Sequence, residues 1–171
     1  MMKQSLFFFL LYLSSFSFSQ INLETEDVKH NQIILIGKID KLGLLMDNYS
    51  SWFANEYNNY NLDSNSIAEI SKLNIKNFKI IIFMATWCGD SREQVPRFYK
   101  VLESLENKFQ LSIYALDENK SCLNINVSDF NIERVPTFIF YKNDKEIGRI
   151  IETPNQSLEK DFLEIVRIGN K

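Results

Sequence analysis

The sequence predicts an α/β fold: a central mixed sheet flanked by helices, preceded by an N-terminal helical extension. Three observations predict it. Phe78 to Ala85 is one continuous apolar run of strand length, the pattern of a strand buried on both faces. The next stretch, Ser91 to Asn107, changes to helical spacing, with Val95, Phe98, Val101, Leu102 and Leu105 on one face. Near the C-terminus, Thr137 to Tyr141 and Glu146 to Ile151 are two short strand-like runs. They flank Lys142-Asn143-Asp144-Lys145, a hairpin signal.

The remaining elements follow in order. Residues 20 to 32 are polar and read as a loosely held lead-in. Ile33 to Ile39 reads as a short strand. Leu42 to Tyr60 carries Leu44, Leu45, Met46, Trp52, Phe53, Tyr57 and Tyr60, which predicts one or two amphipathic helices broken near Asn48 to Ser51. Its aromatic residues suit packing against the sheet, with an exposed partner surface as the alternative. Asp63-Ser64-Asn65-Ser66 is a helix N-cap region for a helix running to about Leu73. Pro96 kinks the helix after Cys88. Leu111 to Leu116 is the next strand, and Val127 to Ile132 a short helix. Ser157 to Ile168 closes the chain as an amphipathic helix with Leu158, Phe162, Ile165 and Val166 inward. From Phe78 the order is strand, helix, strand, helix, strand, strand, helix. Such an order builds a parallel crossover pair first and an antiparallel pair last. The chain divides into a leader over 1–19, an extension over 20–75 and an α/β domain over 76–171.

The leader reading rests on Lys3, the apolar stretch Leu6 to Leu13, and small residues in Ser17-Phe18-Ser19, with cleavage between Ser19 and Gln20. An uncleaved anchor is the alternative, but the apolar core is shorter than the roughly 20 residues a span needs. The expectation is export to the periplasm or beyond, as a monomer with no stable membrane anchor. A net charge of −3 argues against nucleic acid, which needs a basic face. Two cysteines are too few for a disulfide scaffold. The single histidine, His30, is remote from both cysteines and supplies no zinc spacing, so it reads as a structural or solvent residue. The sequence implies no metal and no cofactor.

The chemistry sits in Ala85-Thr86-Trp87-Cys88-Gly89-Asp90-Ser91-Arg92. Cys88 leaves a buried strand and opens a helix. The free N–H groups of a helix start favour a thiolate, the reactive form of cysteine. The negative charge of Asp90 opposes this, and Arg92 offsets it in part. Three residues on stands Ser91, where a second thiol would close a dithiol pair.

This order of elements, with Trp87-Cys88-Gly89 at the first strand–helix junction, Pro96 in the helix and Arg134-Val135-Pro136-Thr137 before the hairpin, resembles the thioredoxin-like superfamily over residues 76–170. Within it, the Trp-Cys-Gly-Asp-Ser motif behind Ser51-Trp52-Phe53 is similar to exported thioredoxin-like proteins of Bacteroidetes-type bacteria. The resemblance implies a thioredoxin fold with Cys88 as catalytic nucleophile and the Ser91 hydroxyl donating to its sulfur. It further implies a substrate groove shaped by Trp87, Val135 and Pro136, the last held cis. Three positions depart from the family pattern: Ser91 replaces the resolving cysteine, Asp90 a proline, and Ile82 a buried acid. The family layout puts Cys122 in a loop at the same sheet edge as Cys88. Cys122 is then either a distant resolving thiol or an inert loop residue. Asp117-Glu118-Asn119-Lys120 falls near the site as a solvated loop.

Two functions remain open at this point. One is thiol–disulfide exchange on exported client proteins, isomerase-like or by mixed disulfide, with an external thiol releasing the adduct. The other is a non-catalytic module that binds peptides in the same groove.

Overall fold

The computed structural model describes residues 20–106, 109–123 and 125–171, so the leader reading over 1–19 lies outside the described residues. The elements, in chain order, are β1 (Leu23–Asp27), β2 (Gln32–Ile39), α1 (Lys41–Leu44), α2 (Asp47–Asn59), α3 (Ser64–Ile70), β3 (Phe78–Met84), α4 (Gly89–Ser104), β4 (Gln110–Ala115), a 3₁₀ turn (Val127–Phe130), β5 (Thr137–Lys142), β6 (Lys145–Ile151) and α5 (Leu158–Gly169). The strands form one six-stranded mixed sheet in the order β1-β2-β4-β3-β5-β6. Of these strand pairs β3 with β4 is parallel; the other pairs are antiparallel. The architecture is the α/β fold that the pattern predicts.

Period-two alternation in β3 sorts its side chains between the two faces. Ile80, Ile82 and Met84 join a large core with residues from every α-helix, including Leu44, Phe53, Ile70, Phe98 and Phe162. Ile81, Phe83 and Ala85 turn to the other face, which Leu116, Ile132, Val135 and the 3₁₀ turn's Phe130 cover. Phe98 is the hub of the helical face: its ring centroid lies 4.8 Å from that of Phe138 and 5.7 Å from that of Phe162.

The extension contributes to this core. Phe53 of α2 is buried and meets Tyr99 of α4 edge-on, with ring centroids 5.7 Å apart. Trp52, Tyr57 and Tyr60 are partly buried against the same cluster, so the aromatic set packs inward. The carboxylate of Glu159, completely buried in α5, accepts from the Tyr60 hydroxyl at 2.9 Å and the Asp63 N–H at 3.1 Å. It fastens the α2–α3 link to the last helix. Asp63 also caps α3 by accepting from the N–H groups of Asn65 and Ser66.

Three expectations need correction. The stretch read as loose, 20–32, contains β1, which pairs along β2 from Leu23↔Ile36 to Asp27↔Gln32. Being an edge strand with three consecutive exposed residues, it shows little apolar alternation to betray it. The helix break falls at Leu45 and Met46, which cap α1 and α2, and not at Asn48 to Ser51. Those polar residues occupy the first turns of α2, where three of the four reach solvent or its edge. The hairpin loop is two residues long, since Asn143 and Asp144 both adopt positive φ, near 50° and 60°. This is the conformation that lets a two-residue turn match strand twist.

Candidate active site

The chain leaves β3 at Met84 and turns tightly into α4. Backbone bonds run from Cys88 N–H to the Ala85 carbonyl at 3.1 Å and from Arg92 N–H to the Cys88 carbonyl at 3.1 Å. Thr86 is buried, and its hydroxyl oxygen accepts the Leu35 N–H at 3.1 Å, locking the turn to β2. Arg92 reaches back to the Thr86 carbonyl instead of out to solvent. Cys88 is the N-cap residue of α4, in extended backbone, and no side chain caps that helix start. The first-turn N–H groups are therefore available to negative charge developing at the sulfur.

The Cys88 thiol is half-buried and donates to the Val135 carbonyl oxygen, 3.1 Å away. The Val135–Pro136 peptide bond is cis, and both residues are buried. Around them, the Thr137 hydroxyl donates to the Arg134 carbonyl at 2.7 Å, and the Glu152 N–H donates to the Pro136 carbonyl at 2.7 Å. Trp87, half-buried, donates its indole N–H to the Leu116 carbonyl at 3.1 Å. Four sequence-predicted site residues, Trp87, Cys88, Val135 and Pro136, thus share one end of the sheet.

Ser91 is fully buried one turn into α4, and its hydroxyl oxygen accepts the Ala85 N–H at 3.2 Å. The side chain ties the helix to the strand end that precedes Cys88. Ile82 is fully buried in the helical-face core, with Ile113 and Phe138 as its strand partners.

A thioredoxin family model matches residues 45–162. The chain belongs to the thioredoxin family. It is 34% identical over 110 residues to a thioredoxin-like protein of Acanthamoeba polyphaga mimivirus, covering 58% of this chain and 77% of that one. It is 31% identical over 101 residues to thioredoxin H2 of Arabidopsis thaliana, covering 59% of this chain and 68% of that protein. Among solved structures, a protein of unknown function from Pseudomonas aeruginosa shares the fold with a TM-score of 0.52 at 14% identity, over 70% of this chain and 82% of the other. Thioredoxin family membership carries thiol–disulfide redox chemistry at the general level, with protein thiols as the general substrate class. The matched residues begin inside the stretch 20–75, in keeping with the packing of α2 against α4.

Cys122 packs against the same apolar cluster as Trp87 and Cys88, on the sheet face opposite the helices. Both cysteines are free thiols. Burial pushes the Cys122 thiol up to about 11, with the nearby Asp117 carboxylate adding to the effect, so at neutral pH it is protonated and a poor nucleophile.

One grouping escaped the sequence. His30, in the β1–β2 turn, places Nδ1 3.1 Å from Asp27 Oδ2 and in direct contact with Glu118 Oε1. Glu118 also pairs with Lys29 at 3.1 Å. The loop after β4 is thereby fastened to the hairpin turn on one side, while Lys120 binds the Glu133 carbonyl on the other. No spacing rule links His30 to Glu118, since only the pairing of β2 with β4 makes them neighbours. Among the described residues, no helix is long and apolar enough to cross a membrane.

Proposed function

We propose that this chain performs thiol–disulfide exchange on exported proteins, with Cys88 as a single working thiol. The observation that carries the reading is the position of the Cys88 sulfur. It is half-exposed at an uncapped helix N-terminus and bonded to the carbonyl of Val135 beside Pro136.

The steps follow from that placement. Loss of the thiol proton frees the Val135 carbonyl, which can then accept an N–H of an extended client peptide in the groove formed with Trp87 and Pro136. The thiolate attacks one sulfur of a client disulfide. A Cys88–client disulfide forms, the client S–S bond breaks, and the leaving client sulfur departs as a thiolate that takes up a proton. Another cysteine of the same client, as its thiolate, then attacks the client sulfur of the mixed disulfide, forming a new client disulfide and releasing Cys88 as a thiolate. Net oxidation is zero, which is isomerisation. Alternatively an external small thiol attacks the mixed disulfide and releases Cys88, remaining itself bound to the client sulfur. Ser91 keeps the turn in place through the Ala85 N–H, and its hydroxyl is not hydrogen-bonded to the sulfur, contrary to what the family resemblance implies. Cys122, protonated at neutral pH, is a poor nucleophile and takes no step in this exchange.

The leader reading of residues 1–19 and the likeness of the Trp-Cys-Gly-Asp-Ser motif to exported family members support a periplasmic or extracellular site of action. The test is refolding of a scrambled, disulfide-bonded protein. The native chain should speed recovery without added reductant, and Cys88→Ala should not. Equal recovery with both would leave the binding-module reading in place.

A further inference from the structure

The Asp27, His30 and Glu118 group offers three ligating atoms, one nitrogen and two carboxylate oxygens, all within 4.8 Å of one another. Asp27 ends β1, His30 lies in the β1–β2 turn and Glu118 in the loop after β4. A single ring nitrogen faces both carboxylates, although Nδ1 carries at most one hydrogen to share between them. Asp27 is more than nine-tenths buried and already oriented: Oδ1 accepts the His30 N–H at 3.3 Å, and Oδ2 accepts the Gln32 side chain at 3.1 Å. Such outer hydrogen bonds fix a ligand's orientation before a metal arrives. Lys29 occupies Glu118 Oε2, leaving Oε1 for the shared position. A cleft of about 400 Å³ opens beside the group and is lined by Asp27, Asp117, Glu118 and Glu26 against a single lysine, Lys29.

We propose that Asp27, His30 and Glu118 form a binding site for a divalent cation of zinc's class. The ion replaces the shared proton and takes His30 Nδ1 with one oxygen from each carboxylate. Mixed imidazole and carboxylate donors suit zinc and its first-row neighbours, at roughly 2.0–2.2 Å per bond, with the remaining position open to the cleft for water. The ion ties the β1–β2 turn to the loop that leads to Cys122. This places a metal clasp on that loop, separate from Cys88.

His30 is the sole histidine in the chain, so its imidazole resonances read the site directly. The experiment titrates zinc chloride into the full chain, with both cysteine thiols blocked by alkylation, and follows histidine-selective NMR together with calorimetry. One equivalent should bind, with the imidazole resonances shifting to completion at that equivalent. His30→Gln and Glu118→Gln should each weaken binding more than about a hundredfold, beyond the roughly 10–100-fold that loss of an outer-shell partner costs. Imidazole resonances that stay in place in excess zinc would overturn the proposal. So would binding of the same strength in both variants.

Discussion

The Cys88 thiol donates to the carbonyl oxygen of Val135 across 3.1 Å, so the nucleophile and the turn before β5 share one hydrogen bond. Cys88→Ser keeps a donor at this position and removes the nucleophile. Its stability should stay within about 0.5 kcal/mol of the native chain, as for a surface-grade change. Cys88→Ala removes the donor as well and should cost about 0.5–1.5 kcal/mol. Urea unfolding distinguishes the two. Both variants should lose mixed-disulfide formation completely.

Ser91 fills the place of a resolving thiol one helical turn from Cys88, buried and accepting from the Ala85 N–H. Ser91→Cys should convert the site to a local dithiol. A trapped Cys88 adduct should then release at least an order of magnitude faster, leaving Cys88 disulfide-bonded to the introduced thiol, because an intramolecular thiol replaces a diffusing one. Quenched-time mass analysis of a pre-formed adduct checks this. An unchanged release rate would mean that the turn geometry forbids closure.

Cys122 gives a pH prediction. Burial raises its folded value to about 11, against about 8.5 for a free thiol. The folded state therefore holds the proton more tightly than the unfolded state. The resulting stabilisation is fully present below about 8.5 and is lost as pH rises through about 11. Unfolding midpoints of the native chain should fall across this window, and Cys122→Ala should flatten the slope. In the folded chain, alkylation of Cys122 should keep accelerating up to about pH 11.

Glu159 tests whether residues 20–75 are part of one cooperative unit. Its buried carboxylate serves the Tyr60 hydroxyl and the Asp63 N–H, both in the extension. Glu159→Ala strands those donors and should cost about 1–3 kcal/mol, while Glu159→Gln keeps an acceptor and should cost less. Denaturant unfolding of both variants should remain a single transition. A separate early transition for the extension would contradict the packing of α2 and α3 against α4 and α5.

What the sequence made legible was whatever packing writes as periodicity. β3 is buried on both faces and showed as an unbroken apolar run. α4 and α5 showed as helical stripes, because each buries one face in the Phe98 and Phe162 core. β1 left no such trace, since its pairing is backbone hydrogen bonding along an edge and its middle residues face solvent. The break between α1 and α2 was misplaced because Asn48, Ser50 and Ser51 resemble a loop when they are only the outer side of a helix that buries Tyr49. In the site, Trp87, Cys88 and Pro136 were visible through local motifs. The Ala85 N–H that donates to Ser91 and the meeting of His30 with Glu118 depend on tertiary placement, which no local spacing encodes.

Every step of the proposed exchange depends on Cys88 forming a mixed disulfide with a peptide substrate. Intact-mass analysis after incubation with an oxidised, disulfide-bonded peptide measures that step. One added peptide mass should appear on the native chain, mapped to Cys88, reversed by a small thiol and absent from Cys88→Ser. An unmodified native chain, or an adduct mapped to Cys122 alone, would contradict the mechanism.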